Sequence, residues 1–189
     1  MDKNICVYCS SSNFLEEKFY KFAEALGEKI AKEGYGLVYG GTKVGTMGVM
    51  AKAALENGAK VTGVIPQAIY DKGLVNPELA ETIITKDMRE RKANMERLSD
   101  AFFTIPGGFG TFEEVFEIIV AKQLGYHKKP VIFINLDGFY DKMFQMFETV
   151  YANKFAKEES RELYFIANTI EDAFEYLESY KEQDFVLKW

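Results

Sequence analysis

The run Pro106-Gly107-Gly108-Phe109-Gly110-Thr111-Phe112-Glu113-Glu114 puts three glycines and two carboxylates where an apolar strand pattern gives way to a helical one. Glycines permit positive φ and leave no Cβ between the backbone and a ligand. A helix starting at about Thr111 would aim its unpaired N–H groups and the positive end of its dipole into the loop, which suits a phosphate. Gly107, Gly108, Gly110 and Thr111 are therefore candidate phosphate-binding residues, and Glu114, one turn further on, is a candidate catalytic carboxylate. The run lacks the Gly-Lys-Ser/Thr of a P-loop and the G-x-G-x-x-G of a dinucleotide fold, so NAD is not implied. The same letters also describe a capping box, with Thr111 as N-cap and Glu114 at N3. Taken alone, the segment leaves both readings open.

A second feature lies upstream. Met88, Met95 and Leu98 form one stripe of a helical pattern at 88–98, and Arg91 and Lys92 interrupt it. A cation at a position that packing would fill is rarely left unpaired. Arg91 either pairs with Asp87, four residues before it, or points into a site that needs positive charge. Because this helix leads through one strand into the glycine loop, a cation beside an anion cradle is the reading we adopt, and the planar guanidinium fork suits phosphate and ribose oxygens. Arg89 and Arg97 fall off the stripe and are expected to be solvated.

These residues need a scaffold. Apolar, β-branched and aromatic runs predict strands at Asn4 to Cys9, Gly36 to Tyr39, Lys60 to Ile65, Thr82 to Thr85, Ala101 to Ile105, Pro130 to Asn135 and Leu163 to Ile166. Helical patterns lie between them at 15–33, 45–57, 88–98, 110–124, 138–153 and 169–180. Such alternation predicts an α/β fold: a Rossmann-like parallel sheet with helices on both faces, in a single domain over 1–189. Ligands of these folds bind beyond the carboxyl ends of strands. Two further loops there are suspicious, Ser10-Ser11-Ser12 and Gly40-Gly41-Thr42-Lys43-Val44-Gly45, and Ser11 and Gly41 join the candidate site residues. The longest irregular connection is Gln67 to Pro77.

Composition narrows the class. The chain has 189 residues, 48% of them apolar, and a formal charge of -6, which argues against nucleic acid or an anionic membrane as the main partner. No apolar run approaches the ~18 residues of a membrane span, and the start shows no signal-peptide anatomy; a cytoplasmic location is expected. Cys6 and Cys9 form a literal C-x-x-C. Three apart on a strand, however, they should face opposite sides of a sheet as two packed thiols. His127, the only histidine, sits in Gly-Tyr-His-Lys-Lys and reads as a solvated loop residue. No metal and no cofactor are expected. The helix at 110–124 carries more apolar side chains than one sheet-facing stripe needs, so a second copy of the chain or the C-terminal helices should cover the excess.

PGGFGTFEE at 106–114 has the form PGGxGTxxE, and Met88-Arg89-Glu90-Arg91-Lys92 precedes it. Together with Cys-Val-Tyr-Cys-Ser-Ser-Ser near the start, Val38-Tyr39-Gly40-Gly41, Gly63-Val64-Ile65-Pro66 and the run from Gln123 to Pro130, this pairing resembles the LOG ("Lonely guy") family. Its members are cytokinin riboside 5′-monophosphate phosphoribohydrolases, often labelled lysine decarboxylase-like. The resemblance covers most of the chain. It implies a Rossmann-like homodimer that hydrolyses AMP or an N6-modified AMP to free base and ribose 5-phosphate. It also implies that Arg91 and Glu114 are the catalytic pair, that Gly107, Gly108, Gly110 and Thr111 bind phosphate, and that Lys92 and Glu113 are neighbouring substrate contacts. The chain departs from the family in reading Gly-Gly-Thr in the second loop, where many relatives have a third glycine, and in following no family pattern around 67–80. Two other classes remain: a carrier of the same fold that binds a nucleotide without cleaving it, and an amino-acid decarboxylase, for which no lysine stands in a recommending context.

Overall fold

The computed structural model describes residues 3–79 and 81–182. Seven strands, β1 (Asn4–Tyr8), β2 (Gly36–Tyr39), β3 (Val61–Pro66), β4 (Glu81–Thr85), β5 (Ala101–Thr104), β6 (Val131–Ile134) and β7 (Phe165–Ala167), form one sheet in the order β4-β3-β2-β1-β5-β6-β7. Every pairing is parallel. The helices are α1 (Glu17–Lys32), α2 (Gly45–Glu56), the single turn α3 (Gln67–Tyr70), α4 (Met88–Leu98), α5 (Phe109–Gln123), α6 (Asp141–Ala152) and α7 (Ile170–Ser179).

Most of the inner strands are largely apolar because both faces of the sheet are covered. Ile5, Val7 and Cys9 pack with side chains of α1, α2 and α7 on one face, while Cys6 and Tyr8 pack with α4, α5 and α6 residues on the other. The two cysteines are thus free, buried and back to back across the sheet, and burial pushes the Cys9 thiol up to about 12. The outer strands β4 and β7 are only partly buried. The predicted strand at 163–166 begins late. Leu163 is a buried side chain closing a 3-10 turn over Glu158–Leu163, and a single apolar residue of this kind does not distinguish the two states.

Topology places the site. The chain builds outward from β1 to β4, then returns through α4 and adds β5 on the other flank of β1, with Ile5 beside Ala101 and Tyr8 beside Thr104. The loops leaving β1 and β5 therefore diverge and open a crevice at their carboxyl ends. No described helix is long and apolar enough to cross a membrane.

His127 departs from expectation. It is 8% exposed, with Nε2 3.0 Å from the Ile118 carbonyl, Nδ1 accepting from the Lys129 amide at 3.2 Å, and its ring against Phe102. The loop folds back onto α5, a tertiary event its polar neighbours do not announce. Burial pulls the imidazole down from 6.5 to about 4, so between those values the unfolded chain binds a proton that the folded chain refuses. Stability contributed by the neutral ring is complete above pH 6.5 and is lost as pH falls toward 4, by up to ~3 kcal/mol. Denaturant midpoints measured from pH 7.5 to 4.5 should fall more steeply for the wild type than for His127→Gln. Parallel curves would refute this role.

Candidate functional site

The helix α5 begins at Phe109 with Gly108 as its N-cap, two residues before the expected start, and no side chain caps it. The capping box is not formed. Thr111 lies inside the first turn and donates its hydroxyl to the Cys9 carbonyl at 2.9 Å, tying the helix to the end of β1. Glu114 points elsewhere. A second correction concerns the glycines: Gly107, Gly108 and Gly110 are not among the positive-φ residues, and Gly108 has φ −95°. They serve through space instead. A Cβ on Gly107 would collide with the Thr111 side chain, whereas one on Gly108 or Gly110 would have nothing within 4 Å.

The neighbouring helix α2 is a useful contrast. Its first turn is plugged by the β1 loop: the Gly45 amide donates to Asn13 Oδ1 at 2.8 Å and the Met47 amide to the Ser10 carbonyl at 3.3 Å. Gly45, at φ +63°, packs so closely that a Cβ would lie 2.8 Å from the Ser11 Cα. Of these two helix ends at the crevice, α2 is occupied by protein and α5 is open.

Arg91 and Glu114 meet there. Asp87 caps α4, accepting from the Arg89 and Glu90 amides at 3.0 and 2.9 Å, and those donors hold its carboxyl below the usual range. Asp87 is therefore spent on the helix, and the side chain of Arg91 turns inward. It is 4% exposed; Nε donates to the Val64 carbonyl at 3.0 Å and a terminal nitrogen donates to Glu114, itself 5% exposed. Gly40 makes this possible, because a Cβ there would strike the Arg91 guanidinium and sit 3.0 Å from Met47 Sδ. Burial raises the Glu114 carboxyl above its ordinary range, and the Arg91 charge opposes that only in part.

These groups line a cleft of about 400 Å³. Ser10, Ser11, Ser12, Gly108, Gly110 and Thr111 form its polar end, while Arg91 and Glu114 stand in its wall. Met47, Ile69 and Met88 make an apolar side, and the ring of Phe109, 94% exposed, stands on the edge. Not every expected residue is here. Gly41 does not line the cleft; it turns the chain at φ +76° and packs on Ile65 of β3. Gly40, its neighbour, lines the cleft instead, and its signals in the sequence are the doubled glycine and the run Val38-Tyr39-Gly40-Gly41. Lys92, largely covered, pairs with Glu113 and Glu117 between α4 and α5, so Lys92 and Glu113 are joined to each other but do not line the cleft. Gly107 borders an adjoining chamber. Ile69 comes from α3, inside the segment where no pattern was readable.

Residues 47–177 match the family model described as possible lysine decarboxylase. A probable cytokinin riboside 5′-monophosphate phosphoribohydrolase of Oryza sativa subsp. japonica is 41% identical, over 93% of this chain and 79% of that one. A cytokinin riboside 5′-monophosphate phosphoribohydrolase of Arabidopsis thaliana is 37% identical, over 95% of this chain and 78% of that one. Among solved structures, the molybdenum cofactor carrier protein of Chlamydomonas reinhardtii has a TM-score of 0.70 at 23% identity, covering 94% of this chain and 97% of that one. A molybdenum cofactor binding protein of Rippkaea orientalis has a TM-score of 0.71 at 24% identity, covering 95% and 98%. At such identities the structural likeness establishes the fold alone. The match across most of the chain, at up to 41% identity to phosphoribohydrolases, shows that this protein belongs to the LOG family.

Proposed function

We propose that the chain hydrolyses the N-glycosidic bond of adenosine 5′-monophosphate, or of an N6-modified form of it, to free base and ribose 5-phosphate. The observation that carries this reading is the open α5 N-terminus with the buried Glu114 carboxylate one turn behind it. A phosphate held by the Phe109, Gly110 and Thr111 amides and the helix dipole would place the sugar over Glu114. Breaking the bond leaves positive charge on the ribose ring. Glu114 stabilises that charge or takes the proton of the water that attacks C1′. Arg91 fixes the Glu114 carboxylate and presents its remaining donors to ribose or phosphate oxygens, a positioning effect. The apolar side formed by Met47, Ile69 and Met88 receives the base. Lys92 and Glu113 act in holding α4 against α5. The names of the relatives support this reading, as does the absence of lysine among the described residues lining the cleft, which leaves a decarboxylase without its Schiff-base partner.

The working unit is a homodimer. Phe112 and Phe116 are partly covered within the chain by Tyr140 and by Phe147 of α6, yet Phe116 and Val120 remain exposed on α5 and offer a second copy an apolar face.

Incubating the purified protein with AMP and with N6-isopentenyl-AMP, and separating the products, tests the activity. Adenine or isopentenyladenine should appear in equal amount with ribose 5-phosphate; tight binding with no released base would favour a carrier. Gly108→Ala tests the cradle. Its backbone is ordinary and a Cβ meets nothing, so stability should stay within ~0.5 kcal/mol of wild type. The methyl group would stand where the phosphate belongs, so KM for AMP should rise by about tenfold or more. An unchanged KM would remove the phosphate from this loop.

A further inference from the structure

The apolar side of the cleft carries one hydroxyl. Thr42 lines the same cleft as Gly40, Met47, Ile69 and Met88, and it alone among these five has a side-chain oxygen. It is 7% exposed, and its hydroxyl donates to Met47 Sδ at 3.4 Å. A hydroxyl has one proton and two lone pairs, so the bond to sulfur occupies its donor and leaves it an acceptor. The position is also rigid. Thr42 forms an antiparallel bridge with Val75, flanked by the bonds from the Lys43 amide to the Leu74 carbonyl and from the Asn76 amide to the Gly41 carbonyl. A β-branched side chain on a fixed backbone has little freedom at χ1. The oxygen is therefore presented beside the apolar surface at a defined place.

We propose that Thr42 is a specificity-determining residue that reads the base, its hydroxyl oxygen accepting a hydrogen bond from the exocyclic amino group of adenine. The inference rests on the assignment of the base to the side of the cleft formed by Met47, Ile69 and Met88. In adenine the ring nitrogens accept and the 6-amino group donates, so an acceptor oxygen has that amino group as its partner. An N6-monosubstituted adenine keeps one N–H, so AMP and its N6-modified form both satisfy the contact. A purine without the amino group leaves the oxygen facing a carbon-bound hydrogen, and a buried polar atom deprived of its partner disfavours the complex. The second loop reads Gly-Gly-Thr where many relatives have a third glycine. A glycine offers no side chain for this contact, so the recognition belongs to this chain and not to the fold.

The test is base release from AMP and from purine riboside 5′-monophosphate, which lacks the amino group, read as the ratio of kcat/KM for the two. Comparing that ratio between variants cancels the intrinsic reactivity of the two bases and any general loss of activity. Thr42→Val keeps the branched shape and removes the oxygen, so the ratio should fall by about tenfold. Thr42→Gly removes the oxygen without adding bulk and should lower the ratio equally, which keeps the test decisive if the valine variant folds poorly. Thr42→Ser retains the oxygen and should hold the ratio within about threefold of wild type. Met47→Leu separates recognition from support: it deletes the sulfur but not the hydroxyl, so the ratio should again stay within about threefold. A ratio unchanged in both oxygen-deleting variants, or one that falls in Met47→Leu as far as in Thr42→Val, would overturn the proposal. If wild type releases no base from AMP, the reading of the cleft has failed and this inference falls with it; release from AMP with an unchanged ratio sinks this inference alone.

Discussion

Glu114→Gln should fold, bind AMP and lose turnover by a factor of at least ~100, the low end of what a positioned acid–base group contributes. The amide keeps an acceptor oxygen for Arg91, so the guanidinium is not abandoned in the interior. It keeps the shape of the wall as well. What it removes is the negative charge that can face a cationic sugar or accept a proton from water. Circular dichroism and a melting curve establish that the variant is folded, and calorimetry with AMP gives its affinity, which should stay within about threefold of wild type. The wild-type pH profile carries a linked signature. Burial raises the Glu114 carboxyl, and the carboxylate must be ionised to act. The acid limb of kcat/KM should therefore lie above the usual glutamate range, with activity falling as pH drops through that raised value. An acid limb at or below about 4.3, the ordinary glutamate value, would mean that another group limits the rate.

Arg91→Ala should do more damage to the fold. It deletes a guanidinium held by Val64 and Glu114 and leaves a carboxylate 5% exposed with no countercharge. Removing one partner of a buried ion pair costs ~3–5 kcal/mol, against a total stability of ~5–15 kcal/mol for a domain. Turnover should be abolished within detection. The sign of the pH dependence separates an unpaired charge from simple loss of packing. Without Arg91 the Glu114 carboxyl rises further, so the folded variant holds a proton that the unfolded chain releases above about 4.3. Its deficit relative to wild type should therefore be greatest near neutral pH and shrink as pH falls toward 4.3. Adding Glu114→Ala should recover part of the loss at pH 7, because the double variant buries no uncompensated charge. A deficit that is flat with pH and additive in the double variant would contradict the pairing.

Much of this architecture is legible in the amino-acid sequence. Strands buried on both faces announce themselves as unbroken apolar runs, and Arg91 stood out because it broke a stripe of methionine and leucine. The glycine loop was legible as the place where a helix begins beside a cleft. What it did with its residues was not. Thr111 and Glu114 fit a capping box letter for letter, and the choice was made by the Cys9 carbonyl, a partner 102 residues away that captures the Thr111 hydroxyl. The apolar side of the cleft was hidden for a similar reason. Ile69 sits on one turn of helix in a segment pinned to the second loop by backbone bonds, Lys43 N–H to the Leu74 carbonyl and Asn76 N–H to the Gly41 carbonyl, both at 3.0 Å. Backbone pairing between loops leaves no side-chain period to read. Lys92 and Glu113 are one residue from Arg91 and Glu114 in sequence, yet on a helix one residue is a turn of 100°, enough to pair them with each other rather than bring them to the cleft.

A crystal structure of the Glu114→Gln protein with AMP tests the central claim most directly. The phosphoryl oxygens should lie within hydrogen-bond distance of the Phe109, Gly110 and Thr111 amides, with C1′ beside residue 114 and the base against Met47, Ile69 and Met88. A phosphate bound anywhere other than the first turn of α5, or an anomeric carbon beyond reach of residue 114, would contradict the account.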